Sequence, residues 1–275
     1  MNTQQIKVKD VVIGKGKPVV LIAGPCVIES AESAIEHARE LKKITQKEKI
    51  PFIFKTSYDK ANRSSISSFR GPGLEEGLEI LGKIRKELDV PILTDVHSVD
   101  QVDEVAEAVD ILQIPAFLCR QTDLVIKAAS SGKAVNVKKG QFMSPKEMEN
   151  VVKKIESTGN KNILLTERGT SFGYNMLVND FRGVIIMSEM GYPVVYDATH
   201  SVQMPGGKGA SSGGEARFVP VLSRAAVTCG VDALFVEVHK DPEKALSDGP
   251  NMIRMSDLSD FISGVKKVEK AVREI

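Results

Sequence analysis

Short runs of apolar, mostly β-branched residues recur eight times along the chain, and each run ends in a residue that can do chemistry. The runs are Val19–Gly24, Phe52–Thr56, Ile92–Asp95, Ile111–Ile114, Val135–Lys138, Ile163–Glu167, Val194–Asp197 and Leu234–Glu237. The residues at or just past their carboxyl ends are Cys26, Lys55, Asp95 with His97, Gln113, Lys138, Glu167 with Arg168, Asp197 with His200, and Glu237 with His239. In a parallel β/α barrel the carboxyl ends of all strands meet at one mouth, which holds the active site. The pattern therefore predicts an α/β enzyme with a (β/α)8 TIM barrel.

Amphipathic helical patterns separate these runs and complete eight strand–helix units. The predicted helices are Ala31–Lys49, Leu74–Leu88, Val99–Ala108, Thr122–Ser131, Pro145–Ser157, Asp180–Met190, Gly214–Cys229 and Ser256–Glu274. Alternating strands and helices require parallel pairing with crossover connections, which an open doubly wound sheet also provides. That fold usually carries a glycine-rich phosphate turn after its first strand, whereas this chain has Ala23-Gly24-Pro25-Cys26. The absence of that turn and the eight units favour the barrel.

Two segments lie outside the repeating pattern. Ile6–Val8 and Val11–Ile13 flank Lys9-Asp10, which predicts a hairpin, within an extension of residues 1–18, that closes the bottom of the barrel. The glycine-rich stretch 205–214 lacks the spacing of a nucleotide P-loop, and we interpret it as a mobile loop that folds over the mouth. No linker or low-complexity tract divides the chain, so residues 1–275 are predicted to form a single barrel domain.

Composition narrows the class of protein. A net charge of +1 over 275 residues argues against a nucleic-acid-binding surface, which needs clustered excess lysine and arginine. Three cysteines argue against a disulfide framework and indicate a reducing compartment. No apolar run approaches the roughly 20 residues that span a membrane, and residues 1–10 lack the apolar core of a signal peptide. We therefore expect a cytoplasmic protein that binds neither nucleic acid nor membrane.

Positive charges concentrate at the predicted mouth. They are Lys55, Lys60, Arg63, Arg70, Arg120, Lys138, Lys139 and Arg168. Lys55 and Lys138 end strands that should be buried, where an unpaired ammonium is unfavourable unless an anion arrives. A substrate with two or more phosphates or carboxylates explains this excess of cations. The alternative is that some of them pair with Asp95, Asp197 and Glu167.

Four side chains at the same mouth could bind a metal ion. The candidates are Cys26, His200, Glu237 and Asp248. They follow strands one, seven and eight, which are neighbours in a closed barrel. A thiolate, an imidazole and two carboxylates suit a borderline divalent ion such as Zn²⁺ or Fe²⁺. The candidates have no short fixed spacing, so a small buried thiol at Cys26 and a hydrogen-bonded loop histidine at His200 stay open as alternatives.

The remaining cysteines and histidines have less specific surroundings. Cys119 and Cys229 are interpreted as packing residues, and His37 as a residue on a helix surface. His97 and His239 flank the predicted mouth, where they could bind the metal or carry protons. Only His97 and His239 among these five residues are therefore secondary candidates for the site.

Six motifs occur in order along the chain. They are Gly24-Pro25-Cys26, Lys60-Ala61-Asn62-Arg63-Ser64-Ser65, Phe117-Leu118-Cys119-Arg120-Gln121-Thr122-Asp123, Asn136-Val137-Lys138-Lys139-Gly140-Gln141-Phe142, Glu167-Arg168-Gly169 and Asp197-Ala198-Thr199-His200-Ser201. With these motifs the sequence closely resembles the 3-deoxy-D-manno-octulosonate 8-phosphate synthase family over nearly its whole length. The resemblance implies a barrel enzyme that condenses phosphoenolpyruvate with D-arabinose 5-phosphate and water, releases phosphate, and serves lipopolysaccharide synthesis.

The resemblance also implies roles for individual residues. The implied contacts to phosphoenolpyruvate are Lys138 and Arg168, with the backbone near Ala116 and Phe117, for its phosphate, and Lys60 and Gln141, with Lys55 and Gln113 close by, for its carboxylate. The implied contacts to the sugar are Asn62, which orients it, and Arg63 with Ser64, which bind its phosphate. In this family the sugar phosphate is bound across a subunit boundary, which implies a homotetramer. Asp95 completes the substrate-binding set, and the candidate catalytic set is Lys60, Asn62, Lys138 and His200.

The family has two forms that differ at one position. One form has asparagine at the position of Cys26 and needs no metal, and the other has cysteine and binds a divalent ion. Cys26, together with His200, Glu237 and Asp248, implies the metal-dependent form with Zn, Fe or Mn as the ion. Gly249-Pro250 after Asp248 is more typical of the metal-free form, but the ligand set favours the metal.

Three other functions remain as alternatives. The nearest is 3-deoxy-D-arabino-heptulosonate 7-phosphate synthase, which uses erythrose 4-phosphate and usually has Lys-Pro-Arg-Thr-Ser where this chain has residues 60–64. A second is a non-catalytic barrel that binds anions. A third is a barrel aldolase that forms a Schiff base at Lys55 or Lys138.

Overall fold

Eight parallel strands form a closed barrel in the computed structural model, which describes residues 3–63, 65–204 and 213–274. In chain order the barrel strands β1 to β8 are Val20–Gly24, Phe52–Lys55, Ile92–Asp95, Ile111–Ile114, Ala134–Lys138, Ile163–Glu167, Val194–Asp197 and Ala233–His239. Each strand pairs with the next, and β8 returns to β1 in register, with Phe235 opposite Ile22. The predicted TIM barrel is therefore confirmed.

The helices that connect the strands pack around the outside of the barrel. In chain order α1 to α8 are Ala31–Glu48, Leu74–Leu88, Val102–Ala108, Thr122–Ser130, Met148–Glu156, Arg182–Ser188, Val219–Thr228 and Leu258–Arg273. The hydroxyl of Ser30 accepts the amide hydrogen of Ser33 at 3.1 Å, so Ser30 caps α1 as its sequence position predicts. Short strands pair outside the barrel as Thr170–Ser171 with Leu177–Val178 and Gln203–Met204 with Gly213–Gly214.

Several element boundaries differ from the sequence prediction for local reasons. Strand β8 is longer than predicted because Val238 and His239 pair with the short parallel strand Ile253–Arg254. Helix α7 begins five residues later than predicted because Gly214 is held in a strand pair and a 3-10 turn, Ala216–Phe218, comes before the helix. Periodicity alone does not mark such ends, since each depends on a partner segment or a turn.

The interior of the barrel is apolar at the amino ends of the strands. One buried cluster joins the hairpin residues Ile6, Val8, Val11 and Ile13 to Val20, Ile22, Ile53, Leu93, Ile111, Ala134, Leu164, Val195, Ala233 and Phe235. The hairpin strands Ile6–Val8 and Val11–Ile13 pair in antiparallel fashion. They therefore close the bottom of the barrel, as the sequence predicts.

At the carboxyl ends of the strands, the side chains that point into the barrel are mostly polar. Side chains two positions apart in a strand point to the same face, so the residue two positions after each interior apolar residue also points inward. These residues are Lys55, Asp95, Gln113, Asn136, Thr166, Asp197 and Glu237. All seven are buried. The sequence thus builds an apolar floor and a polar layer above it, which together position the site.

In the part of the chain that the structure describes, no helix is both long and apolar enough to cross a bilayer.

Candidate active site

A cavity of about 520 Å³ opens at the carboxyl ends of the strands. The predicted site residues that line it are Lys55, Lys60, Asn62, Arg63, Asp95, Gln113, Ala116, Phe117, Lys138, Gln141, Arg168, His200 and Asp248. Ser64 lies outside the described residues, as does the stretch 205–212 that contains most of the predicted glycine-rich loop. The barrel therefore brings together residues that are far apart in the chain.

The buried lysines of this cavity are paired with carboxylates of the protein. Nζ of Lys55 lies 3.1 Å from Oε1 of Glu237, and Lys138 donates a short hydrogen bond to Asp197. Nζ of Lys60 is 3.9 Å from Oδ2 of Asp95. These ion pairs correct the expectation that Lys55 and Lys138 depend on a substrate anion for a partner.

Three of the eight cations predicted at the mouth do not line the cavity. Arg70 and Arg120 are exposed, and Arg70 pairs with Asp59. Lys139 is fully buried, 3.5 Å from Glu167, because it follows Lys138 in the strand direction and so points to the opposite face. The excess of cations at the mouth is therefore smaller than the sequence predicts.

Polar atoms without a partner mark where a ligand would bind. Among the described residues, buried Nη1 of Arg168, Nη2 of Arg63 and Oε1 of Gln141 have no hydrogen-bond partner. Nη2 of Arg168 donates to Gln203 at 3.2 Å, which aims the guanidinium. Buried polar groups are usually hydrogen-bonded, so the two guanidinium nitrogens indicate an anionic ligand in the cavity, and the amide oxygen of Gln141 can accept a hydrogen bond from a donor group there.

The charged groups shift one another's proton affinity. Burial lowers the pKa of Lys138 to about 8, and Asp197 offsets part of that shift. Although burial opposes it, the charges of His200 and Lys138 hold the pKa of Asp197 well below its usual range. Nζ of Lys138 also lies 3.3 Å from the centroid of the Phe235 ring, and a cation over an aromatic face is electrostatically stabilised. Lys138 is thus a cation that loses its proton in mildly alkaline solution, at a lower pH than an exposed lysine.

A chain of hydrogen bonds runs through the polar layer of the barrel interior. Thr166 donates to Oδ1 of Asn136 at 2.6 Å, and Asn136 donates to Oε1 of Gln113 at 2.8 Å. Gln113 in turn donates a short hydrogen bond to Asp95. The chain fixes the amide orientation of Gln113 and leaves Asp95 as its acceptor end.

The candidate metal ligands converge beside this cavity. Ligand atoms of Cys26, Glu237 and Asp248 all lie within 4.8 Å of one another. Nε2 of His200 lies 3.6 Å from Glu237 and 4.0 Å from Asp248, while its Nδ1 faces Asp197 at 2.8 Å. Oε2 of Glu237 is buried without a hydrogen-bond partner. This orphaned oxygen and the mixed sulfur, nitrogen and oxygen donors fit a borderline divalent cation.

Comparison with known proteins places the chain in a family. Residues 2–274 match the family model described as "DAHP synthetase I family". The chain belongs to this family. A relative from Geotalea uraniireducens (strain Rf4), named "2-dehydro-3-deoxyphosphooctonate aldolase", is 57% identical over 270 residues, which cover 98% of this chain and 99% of the relative. Proteins of the same name from Geobacter sulfurreducens (55% identical, covering 98% of this chain and 100% of the relative) and Cyanothece sp. (57%, covering 96% of each) match similarly.

The names of these relatives test the family resemblance that the motifs predict. The name of these relatives is a synonym of 3-deoxy-D-manno-octulosonate 8-phosphate synthase, so the predicted resemblance is confirmed. The alternative heptulosonate synthase has support only from the family model.

Two histidine interpretations need correction or refinement. His37 is buried rather than on the helix surface, because its ring packs 4.7 Å from that of His239 and accepts the amide hydrogen of Lys240. His239 lies 3.3 Å from Glu29 and does not line the cavity, whereas His97 does. Cys119 is buried against Met143, as a packing residue would be.

Sequence reasoning missed several polar residues that support the site. Asn136 and Thr166 precede Lys138 and Arg168 by two positions, so strand alternation could have identified them as inward-facing. The hydroxyl of Ser247, in a loop, lies 2.8 Å from Sγ of Cys26, and Gln203 lies in a strand of two residues; both segments are too short or irregular to give a periodic signal. Only the folded chain assigns these two residues to the site.

Proposed function

We propose that this chain condenses phosphoenolpyruvate with D-arabinose 5-phosphate and water to give 3-deoxy-D-manno-octulosonate 8-phosphate and phosphate. The observation that carries the proposal is the set of unpartnered guanidinium nitrogens of Arg168 and Arg63 in one cavity, in a chain whose relatives bear the name of this enzyme. Two phosphorylated substrates require two such cationic positions. The product is a precursor of a lipopolysaccharide sugar.

The phosphoenolpyruvate subsite is proposed around Arg168 and Lys138. The free Nη1 of Arg168 and the ammonium of Lys138 would bind the phosphate, with the backbone of Ala116 and Phe117 beside it. The carboxylate would bind the remaining polar residues of the cavity, which are Lys60, Gln141, Lys55 and Gln113. Because Lys55, Lys60 and Lys138 already pair with Glu237, Asp95 and Asp197, Arg168 supplies the positive charge that is left for the phosphate.

The sugar subsite is proposed around the loop after β2. Asn62 would orient the open-chain aldehyde, and Arg63 with Ser64 would bind the 5-phosphate. Nη2 of Arg63 is buried and unpartnered among the described residues, while its Nε donates to the carbonyl of Phe69 at 3.1 Å. That backbone contact holds the guanidinium in one orientation, which favours binding of a dianion.

The proposed chemistry joins carbon C3 of phosphoenolpyruvate to the aldehyde carbon of the sugar. Water adds at C2, and phosphate leaves by cleavage of its C–O bond from the resulting hemiketal phosphate. Lys138 and Arg168 stabilise negative charge on the phosphate as it departs. His200, Lys60 and Asn62 would position the aldehyde and the water, with His200 held by Asp197.

We propose further that a divalent ion, Zn, Fe or Mn, is held by Cys26, His200, Glu237 and Asp248. The orphaned Oε2 of Glu237 and the clustered ligand atoms support this assignment. When bound, the ion supplies Lewis acidity that orients and polarises the aldehyde or a water. Burial and the charge of Glu237 raise the pKa of the Cys26 thiol, so a positive charge nearby is needed for this residue to act as a thiolate.

We also propose a homotetramer in the cytoplasm. The hairpin after β6 exposes 69% of Phe172, 97% of Tyr174 and 54% of Met176. Neighbouring exposed aromatic and sulfur-containing side chains are typical of a surface that another copy covers. All three cysteines are free thiols, which favours a reducing compartment.

The deciding experiment measures phosphate release from phosphoenolpyruvate with each candidate sugar. We expect phosphate release with arabinose 5-phosphate and little release with erythrose 4-phosphate. A chelator should abolish the activity, and added zinc, iron or manganese should restore it. Preference for erythrose 4-phosphate would identify the heptulosonate synthase. Binding of phosphoenolpyruvate without release would indicate the non-catalytic barrel, and full activity in chelator would exclude the metal.

A further inference from the structure

The side chain of Glu29 joins three segments at the mouth of the barrel. Glu29 lies in the loop after β1, three residues beyond Cys26. Its Oε1 accepts the amide hydrogen of Leu246 at 2.8 Å, and its Oε2 lies 3.3 Å from Nε2 of His239 at the end of β8. Each of these segments also carries one of the candidate metal ligands, which are Cys26, Glu237 and Asp248.

The hydrogen-bond roles of His239 follow from its other partner. The amide N–H of Asp241 can only donate, and it lies 3.0 Å from Nδ1 of His239. Nδ1 therefore accepts, and the ring proton is on Nε2, where it is donated to Glu29. The contact between Glu29 and His239 is thus a directed hydrogen bond that fixes the carboxylate relative to the end of β8.

The loop that carries Asp248 needs external support. Asp248 has a left-handed backbone conformation, with φ of 52°, which is unfavourable for a residue with a Cβ atom. On its amino side, Ser247 contacts Sγ of Cys26 at 2.8 Å, directly after the amide of Leu246 that Glu29 holds. On its carboxyl side, a Cβ at Gly249 would lie 2.2 Å from the carbonyl oxygen of Pro242, so the loop passes close to other backbone there as well.

We propose that Glu29 is a positioning residue that sets the geometry of the metal ligands by tying these three segments together. Glu29 touches none of the ligands itself. It acts through Leu246 and His239, each of which lies within two residues of a ligand in the chain. The inference rests on the proposed metal site, and its test is designed to separate the two.

The experiment compares metal affinity in Glu29→Ala, Glu29→Gln and a matched control. Glutamine keeps an oxygen for the amide of Leu246 but loses the carboxylate, whereas alanine loses both contacts. Glu36→Ala is the control because Glu36 pairs with Lys240 in the same loop through an exposed ion pair. Affinity is measured by competition between the protein and a chelator for Zn²⁺, and the thiolate-to-metal absorption band is recorded with Co²⁺.

We expect Glu29→Ala to weaken Zn²⁺ binding about 10- to 100-fold, the range found when groups that orient metal ligands are lost. Glu29→Gln should lose less, and Glu36→Ala should stay within about twofold of the parent. The Co²⁺ band should weaken in Glu29→Ala, and hydrogen exchange at Leu246 should accelerate in the metal-free protein.

Two results would overturn the proposal in different ways. If the parent binds Zn²⁺ and Glu29→Ala binds it equally tightly with an unchanged Co²⁺ band, Glu29 does not position the ligands. If the parent binds neither ion, the proposed metal site itself is wrong. Thermal unfolding of the metal-free variants identifies a folding defect, and Glu29→Gln then provides the comparison in a folded protein.

Discussion

Nδ1 of His200 lies 2.8 Å from Oδ2 of Asp197, and the same carboxylate oxygen accepts a hydrogen bond from the ammonium of Lys138. One fully buried carboxylate therefore connects the proposed metal site to the proposed phosphate site. It turns Nε2 of His200 toward Glu237 and Asp248, and it keeps Lys138 over the ring of Phe235. A change at Asp197 should consequently affect both sites together.

Replacement of Asp197 by asparagine tests this connection. The amide keeps the shape but loses the charge, so His200 is held less firmly and Lys138 loses its counter-ion. We expect metal affinity to fall about 10- to 100-fold and phosphoenolpyruvate affinity to change in parallel. Chelator competition and calorimetric titration measure the two effects. Asp180→Asn, at an exposed ion pair with Arg182, is the control and should alter neither; a change in only one affinity would show that the sites are independent.

Lys138 should impose an alkaline limit on phosphoenolpyruvate capture. Its pKa of about 8 means that the free enzyme loses this ammonium as pH rises through that value, so kcat/KM for phosphoenolpyruvate should fall above about pH 8. Measurement across pH 6.5 to 9.5 gives the profile. Lys138→Arg keeps its positive charge throughout this range, so its kcat/KM, although lower, should not fall above pH 8. The same fall in kcat/KM in the arginine variant would assign the titration to another group.

The lowered pKa of Lys138 should make the folded protein more stable at alkaline pH, although it lowers activity there. In the unfolded chain the lysine titrates near 10.5, so between about pH 8 and 10.5 the unfolded state binds more protons than the folded state. The contribution of Lys138 to the free energy of unfolding therefore rises with pH in that window. Urea unfolding of the parent and of Lys138→Met at pH 8 and 10 gives the change in the free energy of unfolding between these two pH values. An equal change in the two proteins would contradict the lowered pKa.

Lys139 should matter for folding rather than for substrate. It is fully buried beside Glu167, which also accepts the amide hydrogens of Arg168 and Gly169. Lys139→Met leaves that carboxylate without its counter-ion, and we expect a loss of about 3 kcal/mol in the free energy of unfolding. Lys153→Met, at an exposed pair with Glu149, should lose less than about 1 kcal/mol. Urea denaturation of both variants gives the comparison, and equal losses would contradict the structural role.

Gly24 allows β1 and β2 to approach beneath the site. A Cβ there would lie 1.9 Å from the carbonyl oxygen of Lys55, which has no room to move within a parallel pair. Gly24→Ala should therefore lower both the melting temperature and the activity, because Lys55 is displaced. Gly82→Ala in α2 meets no atom within 4 Å and should stabilise the protein by roughly 0.5–1 kcal/mol. Calorimetry distinguishes the two; a neutral Gly24→Ala would mean that the strands can separate without loss.

The exposed hairpin should determine association. Phe172→Ser combined with Tyr174→Ser removes its two aromatic rings, and sedimentation should then shift from a tetramer to smaller species. Val221→Ser, an exposed apolar position on α7, is the control and should leave the assembly intact. An unchanged tetramer in the double variant would place the interface elsewhere.

The sequence by itself determined the barrel and the polarity of its mouth. The period of two in a strand places Lys55 above Ile53 and Glu237 above Phe235, and parallel strands bring all such ends to one mouth. The candidate metal ligands are predicted from that geometry, and most of the candidate substrate residues from the family resemblance that the motifs carry. Strand period and motifs are both local properties, since each depends on a few neighbouring positions.

Only the tertiary structure decided which charges meet. Lys55 pairs with Glu237 across 182 positions and Lys138 with Asp197 across 59; the strand pattern places each of these residues at a strand end but does not show which lysine meets which carboxylate. Likewise, Ser247 contacts Cys26, and Glu29 contacts Leu246 and His239, through loops whose course depends on what they pack against. The alternation of a strand fixes the face on which a side chain lies, but its partner depends on strand closure and loop contacts, which many distant residues set together.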